Sequence, residues 1–301
     1  MFLTIAGKLG SGKSTICKII SDKYGFEIYS TGKIQRDIAN SMGISTLQLN
    51  ELMRMDSKYD DLIDKEVVRI SQTRKKDNII FDSRMAFHFV ENSYDIFTII
   101  DPREAAKRVM LSPRGSEEVY QNEEMAQKKL LERADIENVR FKEIYHVDNS
   151  DYDNYNLIVD TSWCKPEELA DLIYKKACDD LEKTKQQILI SPKSLYPTEK
   201  ISNINMEIVG QYRNKMKKGF NEKVLVRVFE NYHYIVDGHH KVIAALLENK
   251  QFIEASLLHE KNNFLDKSKN LISELEHVGK STLYDFEDIA KFRYISYPEY
   301  Y

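Results

Sequence analysis

The sequence predicts an α/β protein with a parallel sheet covered by helices on both faces, then a smaller α+β domain and a helical C-terminal extension. Short apolar runs alternate with polar helical patterns through the first half of the chain, which is typical of a parallel sheet. A charged, leucine-spaced segment from Glu167 to about Gln187 predicts one long amphipathic helix. The stretch "ILISPKSLYPTEKI" that follows contains prolines, and the spacing of apolar residues changes there. The predicted domains are residues 1–183, 188–260 and 261–301.

The strands of the first domain are predicted from short apolar runs, as expected where a parallel sheet is buried on both faces. They lie at Leu3–Ala6, Phe26–Tyr29, Ile79–Phe81, Ile96–Ile100 and Leu157–Val159. In the second domain the pattern predicts two helices and three strands. The helices lie near Met206–Lys217 and His239–Leu247, and the strands at Val224–Phe229, Tyr232–Val236 and Ala255–Leu258. The segment from Asn262 is predicted to be mostly helical.

Composition excludes some classes of protein. The chain has 301 residues and a net charge of −4, so its overall charge does not support nucleic acid as a partner, although a local basic groove would not show in that sum. No apolar run approaches the roughly 20 residues that cross a bilayer, so a membrane partner is not expected. Three cysteines without metal-ligand spacing and a first apolar run too short for a signal peptide favour the cytoplasm. Oligomeric state is not predicted.

The segment from Gly7 to Ser14 satisfies the phosphate-binding pattern G-x-x-x-x-G-K-[ST] between a predicted strand and a predicted helix. Glycines let consecutive N–H groups converge on phosphate oxygens, and the helix N-terminus adds partial positive charge. Lys13 would bridge the outer phosphates, and the Ser14 hydroxyl would ligate Mg²⁺. The pattern predicts a P-loop NTPase-type sheet with ATP, or another nucleoside triphosphate, and Mg²⁺ as cofactors. The expected binding residues are Gly7, Gly10, Ser11, Gly12, Lys13, Ser14 and Thr15.

Over about residues 1–180 the chain resembles the nucleoside monophosphate kinases, and within them the cytidylate kinase-like family. Besides the phosphate loop, the resemblance depends on "STGKIQRDIA" from Ser30, "FDSR" from Phe81 and Arg108 in the helix after the fourth strand. It also depends on "ERADIENVRFKEIYHVD" followed by "YNLIVDTS", which look like the family's lid helix and last strand. In that lid, an arginine, an acid and a second arginine share one helix.

The resemblance implies an ATP-dependent phosphotransferase in which cations close around the transferred group. Arg133 and Arg140 are seven residues apart, so two helical turns place them on one face. By the resemblance, Lys13, Arg108, Arg133 and Arg140 would clamp the donor and the moving phosphoryl, and Asp82 would orient Mg²⁺. Thr31, Gly32, Arg36 and Arg84 would hold the acceptor, a small phosphorylated molecule. The resemblance favours cytidine monophosphate, but no segment of the sequence identifies the base.

A second strand–glycine turn–helix pattern, "YIVDGHHKVIAALLENK", starts at Tyr234. From about Ile188 to Glu260 the chain resembles the ParB/sulfiredoxin-like fold, in which such a turn binds the phosphates of a nucleotide. Histidines stand where sulfiredoxins have a cysteine, so redox repair is not expected. Some members of the fold are free serine kinases with a carboxylate near the domain's start, and Glu199 in "YPTEKI" matches it. The candidate residues of this second site are Glu199, Asp237, Gly238, His239, His240 and Lys241.

Three functions stay open at this point. The first is a nucleoside-monophosphate-type kinase with a second domain that binds a nucleotide or an acceptor. The second keeps the kinase but gives it a hydroxyl acceptor, such as a hydroxymethylated base in DNA or free serine. In the third, the chain is a nucleotide-binding, DNA-associated regulator in which the phosphate loop acts as a switch.

Overall fold

The computed structural model describes residues 1–45, 48–49, 52–53, 58–111, 120–180, 186–220, 222–258 and 264–301. The chain forms two compact units. The first comprises residues 1–100 and 104–186, and the second comprises residues 187–301 with 101–103.

The first unit is built on five parallel strands in the order β2-β3-β1-β4-β5. The strands are β1 (Phe2–Gly7), β2 (Glu27–Ser30), β3 (Ile79–Asp82), β4 (Ser93–Ile99) and β5 (Leu157–Asp160). The helices are α1 (Lys13–Tyr24), α2 (Thr31–Ser41), α3 (Lys58–Thr73), α4 (Ala86–Phe89), α5 (Pro102–Leu111), α6 (Glu123–Tyr145) and α7 (Pro166–Asp179). The α/β fold with a parallel sheet that the sequence predicts is confirmed, and all five predicted strands are present within a few residues of their expected bounds.

Both faces of this sheet are buried. Phe2 and Phe81 belong to an apolar cluster with Val67 of α3. Alternate residues of a strand face opposite sides, so Leu3 and Ile80 point the other way, and both are fully buried. Burial on two faces explains why the inner strands β1 and β3 are apolar runs, whereas the edge strand β2 is more exposed.

The strand order places β1 between β3 and β4, so the connection from β1 runs to β2 on one side and the connection from β3 passes β1 to reach β4 on the other. A crevice opens at the carboxyl ends of the strands at such a point, and ligands of open α/β sheets bind there. Gly7 ends β1 and Asp82 ends β3, and the register pairs Ile5 with Asp82. The phosphate loop and the "FDSR" segment therefore meet at one edge.

The long helix predicted over Glu167 to Gln187 is wrong in its extent. Helix α7 ends at Asp179, and Gln187 is the first residue of a strand. That strand pairs antiparallel with a later one, Ile190 opposite Ile253. Pairing with a strand that is distant in the sequence decides the structure at the end of this segment, although the local amphipathic pattern predicts a helix there.

The second unit contains a mixed sheet in the order β6-β10-β8-β9-β7. Its strands are β6 (Gln187–Ile190), β7 (Leu195–Tyr196), β8 (Val224–Phe229), β9 (Tyr232–Asp237) and β10 (Ile253–Leu257). Its helices are α8 (Met206–Lys217), α9 (His239–Leu247), α10 (Phe264–Val278) and α11 (Ser281–Ala290). Both helices predicted before residue 260 are found at their expected bounds.

The C-terminal segment, which the sequence separates as a third domain, packs within this second unit. The buried Glu287 carboxylate of α11 accepts hydrogen bonds from the Tyr294 amide at 2.7 Å and the Tyr297 hydroxyl at 2.6 Å. The Tyr301 hydroxyl donates to the Pro197 carbonyl at 2.6 Å. The hydroxyl groups of these tyrosines thus anchor the segment within the second unit.

In the described part of the chain, helices are either too short or too polar to span a bilayer.

Gly7 is a position where the addition of one methyl group should destabilise the first unit. Its φ is +148°, and a Cβ there would overlap the Thr98 side chain and carbonyl oxygen, since β1 passes directly against β4. We expect Gly7→Ala to destabilise the first unit by about 3 kcal/mol or more in urea unfolding, because backbone strain and overpacking add. Gly25→Ala is the matched control: φ is +72° but nothing lies within 4 Å of its Cβ position. Its cost should stay near 1 kcal/mol, and equal losses would contradict this account.

Candidate functional site

The phosphate loop of the first unit is held in shape by one residue of β4. The Lys8 amide donates to the Thr98 carbonyl at 2.9 Å, and the Ser11 and Thr98 hydroxyls are hydrogen-bonded at 2.7 Å. Gly12 takes a left-handed conformation, φ 83°, as the N-cap of α1, which a side chain would disfavour. The loop thus turns its amides and the start of α1 toward one space.

That space is a cleft of about 710 Å³. Most residues predicted from the sequence for the first site line it: Gly10, Ser11, Gly12, Lys13, Ser14, Thr15, Thr31, Gly32, Arg36, Asp82, Arg84, Arg108, Arg133 and Arg140. Gly7 is not among the lining residues, because it ends β1 beneath the loop. The structure therefore brings together residues that are more than a hundred positions apart in the sequence.

Ser14 and Asp82 form the candidate magnesium position. The Ser14 hydroxyl donates to an Asp82 carboxylate oxygen at 2.9 Å, and the Ser30 hydroxyl lies 3.4 Å from the same oxygen. A part-buried hydroxyl–carboxylate pair fits Mg²⁺, which takes few protein oxygens and completes its shell with water and phosphate. Among the described residues, no cluster of three or more histidine, cysteine, aspartate or glutamate side chains is arranged to hold a metal.

Arg84 and Arg133 both form ion pairs with one carboxylate, which was not among the residues predicted from the sequence. Glu137, four residues after Arg133 on α6, forms ion pairs with both guanidinium groups, at 3.0 Å from Nε of Arg133. Its side chain is only 11% exposed. A buried carboxylate between two arginines orients both and offsets their mutual repulsion. The sequence indicated Glu137 in part, since the lid of the resembled family carries an acid between its two arginines.

Arg108 is positioned beside the loop by neighbouring elements. Its Nε lies 3.0 Å from the Glu104 carboxylate on the same helix, and its Nη2 donates to the Thr161 carbonyl at 2.8 Å. Its Nη1 is 4.0 Å from the place where a Cβ on Gly12 would lie. The guanidinium therefore faces the space over the first turn of α1.

The remaining predicted residues lie farther along the cleft. Arg36 of α2 brings Nη1 to 3.6 Å from the Cβ position of Gly32. The Thr31 hydroxyl is 3.5 Å from the Asp82 carbonyl. Arg140 is 6% exposed, with its guanidinium 5.2 Å from the centre of the Phe141 ring. These residues bring positive charge from α2 and α6 to the same cleft.

The lining residues that were not predicted include Asp64 of α3, and Phe141 and Tyr145 of α6. Glu137, Phe141 and Tyr145 are spaced four residues apart, which places them on one face of α6. That spacing was readable for Phe141 and Tyr145. Asp64 is 81 residues from its hydrogen-bond partner Tyr145, and only the folded chain brings them together.

In the second unit, the predicted turn requires glycine. Gly238 has φ 106° and is the N-cap of α9, and a Cβ there would lie 2.9 Å from the Val224 side chain. The turn brings β9 into α9 as the sequence predicts. Asp237 precedes it and is exposed.

The two histidines of this turn accept hydrogen bonds from backbone amides. The Nε2 of the buried His239 accepts from the Thr198 amide at 3.0 Å, and the Nε2 of His240 accepts from the Asn205 amide at 3.0 Å. The His239 proton is thereby assigned to Nδ1, which lies 3.6 Å from the half-exposed Glu199 carboxylate. Each histidine fastens the segment after β7 to the start of α9.

Lys241 does not lie toward the turn's amides. Its Nζ donates to the Lys223 carbonyl at 3.0 Å and lies 3.5 Å from the Glu222 carboxylate. The predicted second-site residues therefore divide into two groups. Glu199, Asp237, Gly238, His239 and His240 lie at the helix start, whereas Lys241 links α9 to the beginning of β8.

His239 makes the stability of the second unit depend on pH. Burial, with a smaller contribution from His240, lowers its pKa from 6.5 to about 4. Between these values the unfolded chain binds more protons than the folded one, so stability rises with pH and is lost as pH falls from about 6.5 to 4. The loss should be roughly 3 kcal/mol. Urea unfolding across this range should be flatter for His239→Gln, which keeps an acceptor but does not titrate, and parallel curves would contradict the assignment.

Comparison with known proteins bears on the first unit. The model of the Cytidylate kinase-like family matches residues 2–163. A cytidylate kinase from Sulfurisphaera tokodaii is 30% identical over 58% of this chain and 93% of its own length, and one from Methanosarcina mazei is 32% identical over 54% and 87%. An S-adenosylmethionine-dependent nucleotide dehydratase from Lacinutrix mariniflava is 32% identical over 57% of this chain, but the chain spans only 34% of that protein.

Among solved structures, a shikimate kinase from Bacteroides thetaiotaomicron aligns with 60% of this chain and 98% of its own, at 11% identity and a TM-score of 0.41. Likeness at this level carries no inference about substrate. The family match covers more than half of the chain, from β1 through β5, and includes all the elements that line the cleft except α7. The chain therefore belongs to the cytidylate kinase-like family.

Proposed function

We propose that the first unit is an ATP-dependent phosphotransferase that moves the terminal phosphoryl of a nucleoside triphosphate to the phosphate of a nucleoside monophosphate, with CMP or dCMP as the first candidate. One observation carries this proposal: the phosphate loop, Lys13 and five arginines line a single cleft. Two phosphorylated substrates that must meet bring several negative charges into one space. A cleft lined by this many cations is suited to holding them.

The roles follow from position. Lys13 and Arg108 lie at the loop and would hold the donor's phosphates. Arg36 on α2 and Arg84 after β3 would hold the acceptor's phosphate. Arg133 and Arg140, on the face of α6 that lines the cleft, would stabilise the charge that develops on the moving phosphoryl.

Glu137 is a positioning residue in this mechanism. It holds Arg84 and Arg133 at one point before substrates bind. Phosphate oxygens then compete with the carboxylate for the same guanidinium donors. The arginines reach the transferred group already oriented, which lowers the reorganisation needed during the reaction.

Ser14 and Asp82 are the residues that would hold Mg²⁺, supported by their 2.9 Å hydrogen bond at the carboxyl edge of the sheet. When bound, the ion would neutralise charge between the donor's phosphates. The cytidylate kinase names of several relatives agree with a nucleotide acceptor, as does the nucleotide dehydratase that shares this segment.

Lys13→Ala should lower kcat/KM about 100-fold or more while the fold is kept, because a phosphate-binding cation is lost from a surface that faces the cleft. Labelled ATP with each ribo- and deoxyribonucleoside monophosphate measures turnover and identifies the acceptor. Lys18→Ala, an exposed lysine on the same helix, is the control and should behave as wild type. Undiminished turnover in Lys13→Ala would refute the proposal.

A second candidate activity concerns the second unit, which we propose is a ParB/sulfiredoxin-like domain that binds a phosphate-bearing ligand at the start of α9. Its support is local: a left-handed glycine at the helix N-cap with the Glu199 carboxylate nearby, 3.6 Å from His239 Nδ1. A carboxylate in that place would accept the proton of a hydroxyl acceptor.

The two activities are separable by variants. If the second unit phosphorylates a hydroxyl acceptor, that reaction should survive Lys13→Ala and be lost in Glu199→Gln, because the amide cannot accept the proton. Free serine and hydroxymethylated DNA, assayed with labelled ATP, are the acceptors to compare. Loss of all labelling in Lys13→Ala, with Glu199→Gln unaffected, would rule out a catalytic role for the second unit.

A further inference from the structure

Residues 294–301, the tyrosine segment, lie against the strand that precedes Glu199 in the second unit. The Tyr294 hydroxyl donates to the Leu195 carbonyl at 3.1 Å, and the Tyr301 hydroxyl donates to the Pro197 carbonyl at 2.6 Å. These carbonyls are two residues apart, and alternate carbonyls of an extended chain point to the same side. One side of β7 is therefore fastened by two tyrosine hydroxyls.

A third hydroxyl joins the same two stretches in the opposite direction. The buried Tyr196 hydroxyl donates to the Ser296 carbonyl at 3.0 Å, and the Tyr196 ring stacks on the Tyr294 ring with centroids 4.8 Å apart. Strand β7 has two residues and pairs with β9 at both. A strand this short forms few ladder hydrogen bonds, so the tyrosine contacts contribute much of what holds it in place.

The residues that follow β7 connect this contact to the second site. The Thr198 amide donates to Nε2 of His239 at 3.0 Å, and the Thr198 hydroxyl donates to the Ile235 carbonyl at 2.6 Å. Glu199 comes next, with a carboxylate oxygen 3.6 Å from Nδ1 of His239. Residues 195–197 thus contact the tyrosine segment, and the two residues after them contact the glycine turn.

We propose that Tyr294 and Tyr301 are positioning residues of the second site. By holding residues 195–199 in place, they fix the Glu199 carboxylate beside the His239 ring. This proposal rests on the proposed function of the second unit, which binds a phosphate-bearing ligand at the start of α9. A carboxylate that takes a proton from an acceptor must keep a fixed distance from the bound phosphate, since small misplacements lower reactivity.

The chemistry of the two tyrosines suits this role. Burial raises the pKa of both hydroxyls, so each keeps its proton and remains a hydrogen-bond donor. The Tyr301 ring also lies 6.3 Å from the ring of the buried Tyr234 on β9. The tyrosine segment therefore contacts both β7 and the strand that leads into the glycine turn.

A purely structural role makes a different prediction. In that case the hydroxyls only stabilise the second unit, and removing one would leave the surroundings of His239 in the folded protein unchanged. Only the neutral ring accepts a hydrogen bond from the Thr198 amide, so losing that bond raises the pKa of His239. The charged or titratable groups that bear on this ring are Glu199, Asp237 and His240, and all three remain in the variants.

The experiment is an NMR pH titration of the full chain that follows His239. We expect a pKa of about 4 in wild type and a value higher by about half a unit or more in Tyr301→Phe, which removes only the hydroxyl. Tyr300→Phe is the matched control. Its hydroxyl donates to the Glu230 carboxylate at 2.9 Å, at the turn between β8 and β9, so His239 should titrate as in wild type.

Tyr294→Phe tests the same contact at the Leu195 carbonyl, and it replaces Tyr301→Phe if that variant does not fold. His239 should again titrate at higher pH than in wild type. A wild-type pKa for His239 in the folded variants, whatever their stability in urea, would overturn the proposal.

Inorganic pyrophosphate is the probe for the phosphate-bearing ligand. Binding is followed at the amide signals of Gly238 and His239, so that binding to the first unit is not counted. We expect the Kd to rise about fivefold or more in Tyr301→Phe, because a site that is no longer preorganised binds more weakly. Tyr300→Phe should keep the wild-type Kd, and an unchanged Kd in Tyr301→Phe would overturn the proposal.

The two measurements separate failure of this proposal from failure of the proposed function. If pyrophosphate does not perturb these amides in wild type but His239 titrates higher in Tyr301→Phe, the proposed ligand fails and the positioning contact stands. If pyrophosphate binds equally well to wild type and Tyr301→Phe, the ligand stands and the tyrosine segment does not position its site.

Discussion

The phosphate loop depends on the close approach of β1 to β4 at Thr98. Gly7 has no side chain to keep the strands apart, and the Lys8 amide and the Ser11 hydroxyl then bond to the carbonyl and hydroxyl of Thr98. These contacts set where the loop turns and hence where α1 begins. The orientation of the loop's amides, the position of Lys13 and the neighbourhood of Ser14 all follow. A loop that must cradle phosphates without a bound partner gains its preorganisation from the sheet beneath it.

Charge is organised around this loop by carboxylates as much as by arginines. Asp82 receives the Ser14 hydroxyl, Glu104 holds Arg108, and Glu137 holds Arg84 and Arg133. Each acid fixes a cation or a hydroxyl that would otherwise sample many rotamers. An anionic ligand in the cleft would meet donors that are already oriented. Those donors would exchange carboxylate oxygens for ligand oxygens, so little new ordering would be needed.

Local patterns in the sequence were sufficient for the loop, the five strands and the two helices of the second unit, because each is specified by neighbouring residues and by burial. The end of α7 was not predictable, since Gln187 joins a strand through pairing with residues more than sixty positions later. The arginines of the cleft were expected from the family resemblance, but their partner Glu137 was not assigned. Asp64 was missed because its contact with Tyr145 joins two helices far apart in the chain. His239 and His240 show the opposite case: their place directly after the glycine turn suggested a ligand site, whereas backbone amides occupy one ring nitrogen of each.

Helix α6 is a single rod of 23 residues, about 34 Å long, gripped near its middle by the ion pairs of Glu137 and at its last residue by Asp64. Because the helix is one stiff body, a rotation of one part also moves the other part. Any tilt that brings its arginines closer to a triphosphate also swings the tyrosine at its tip. If a ligand at one end of the cleft tilts this helix, it changes the affinity for a ligand at the other end, by the same factor in both directions.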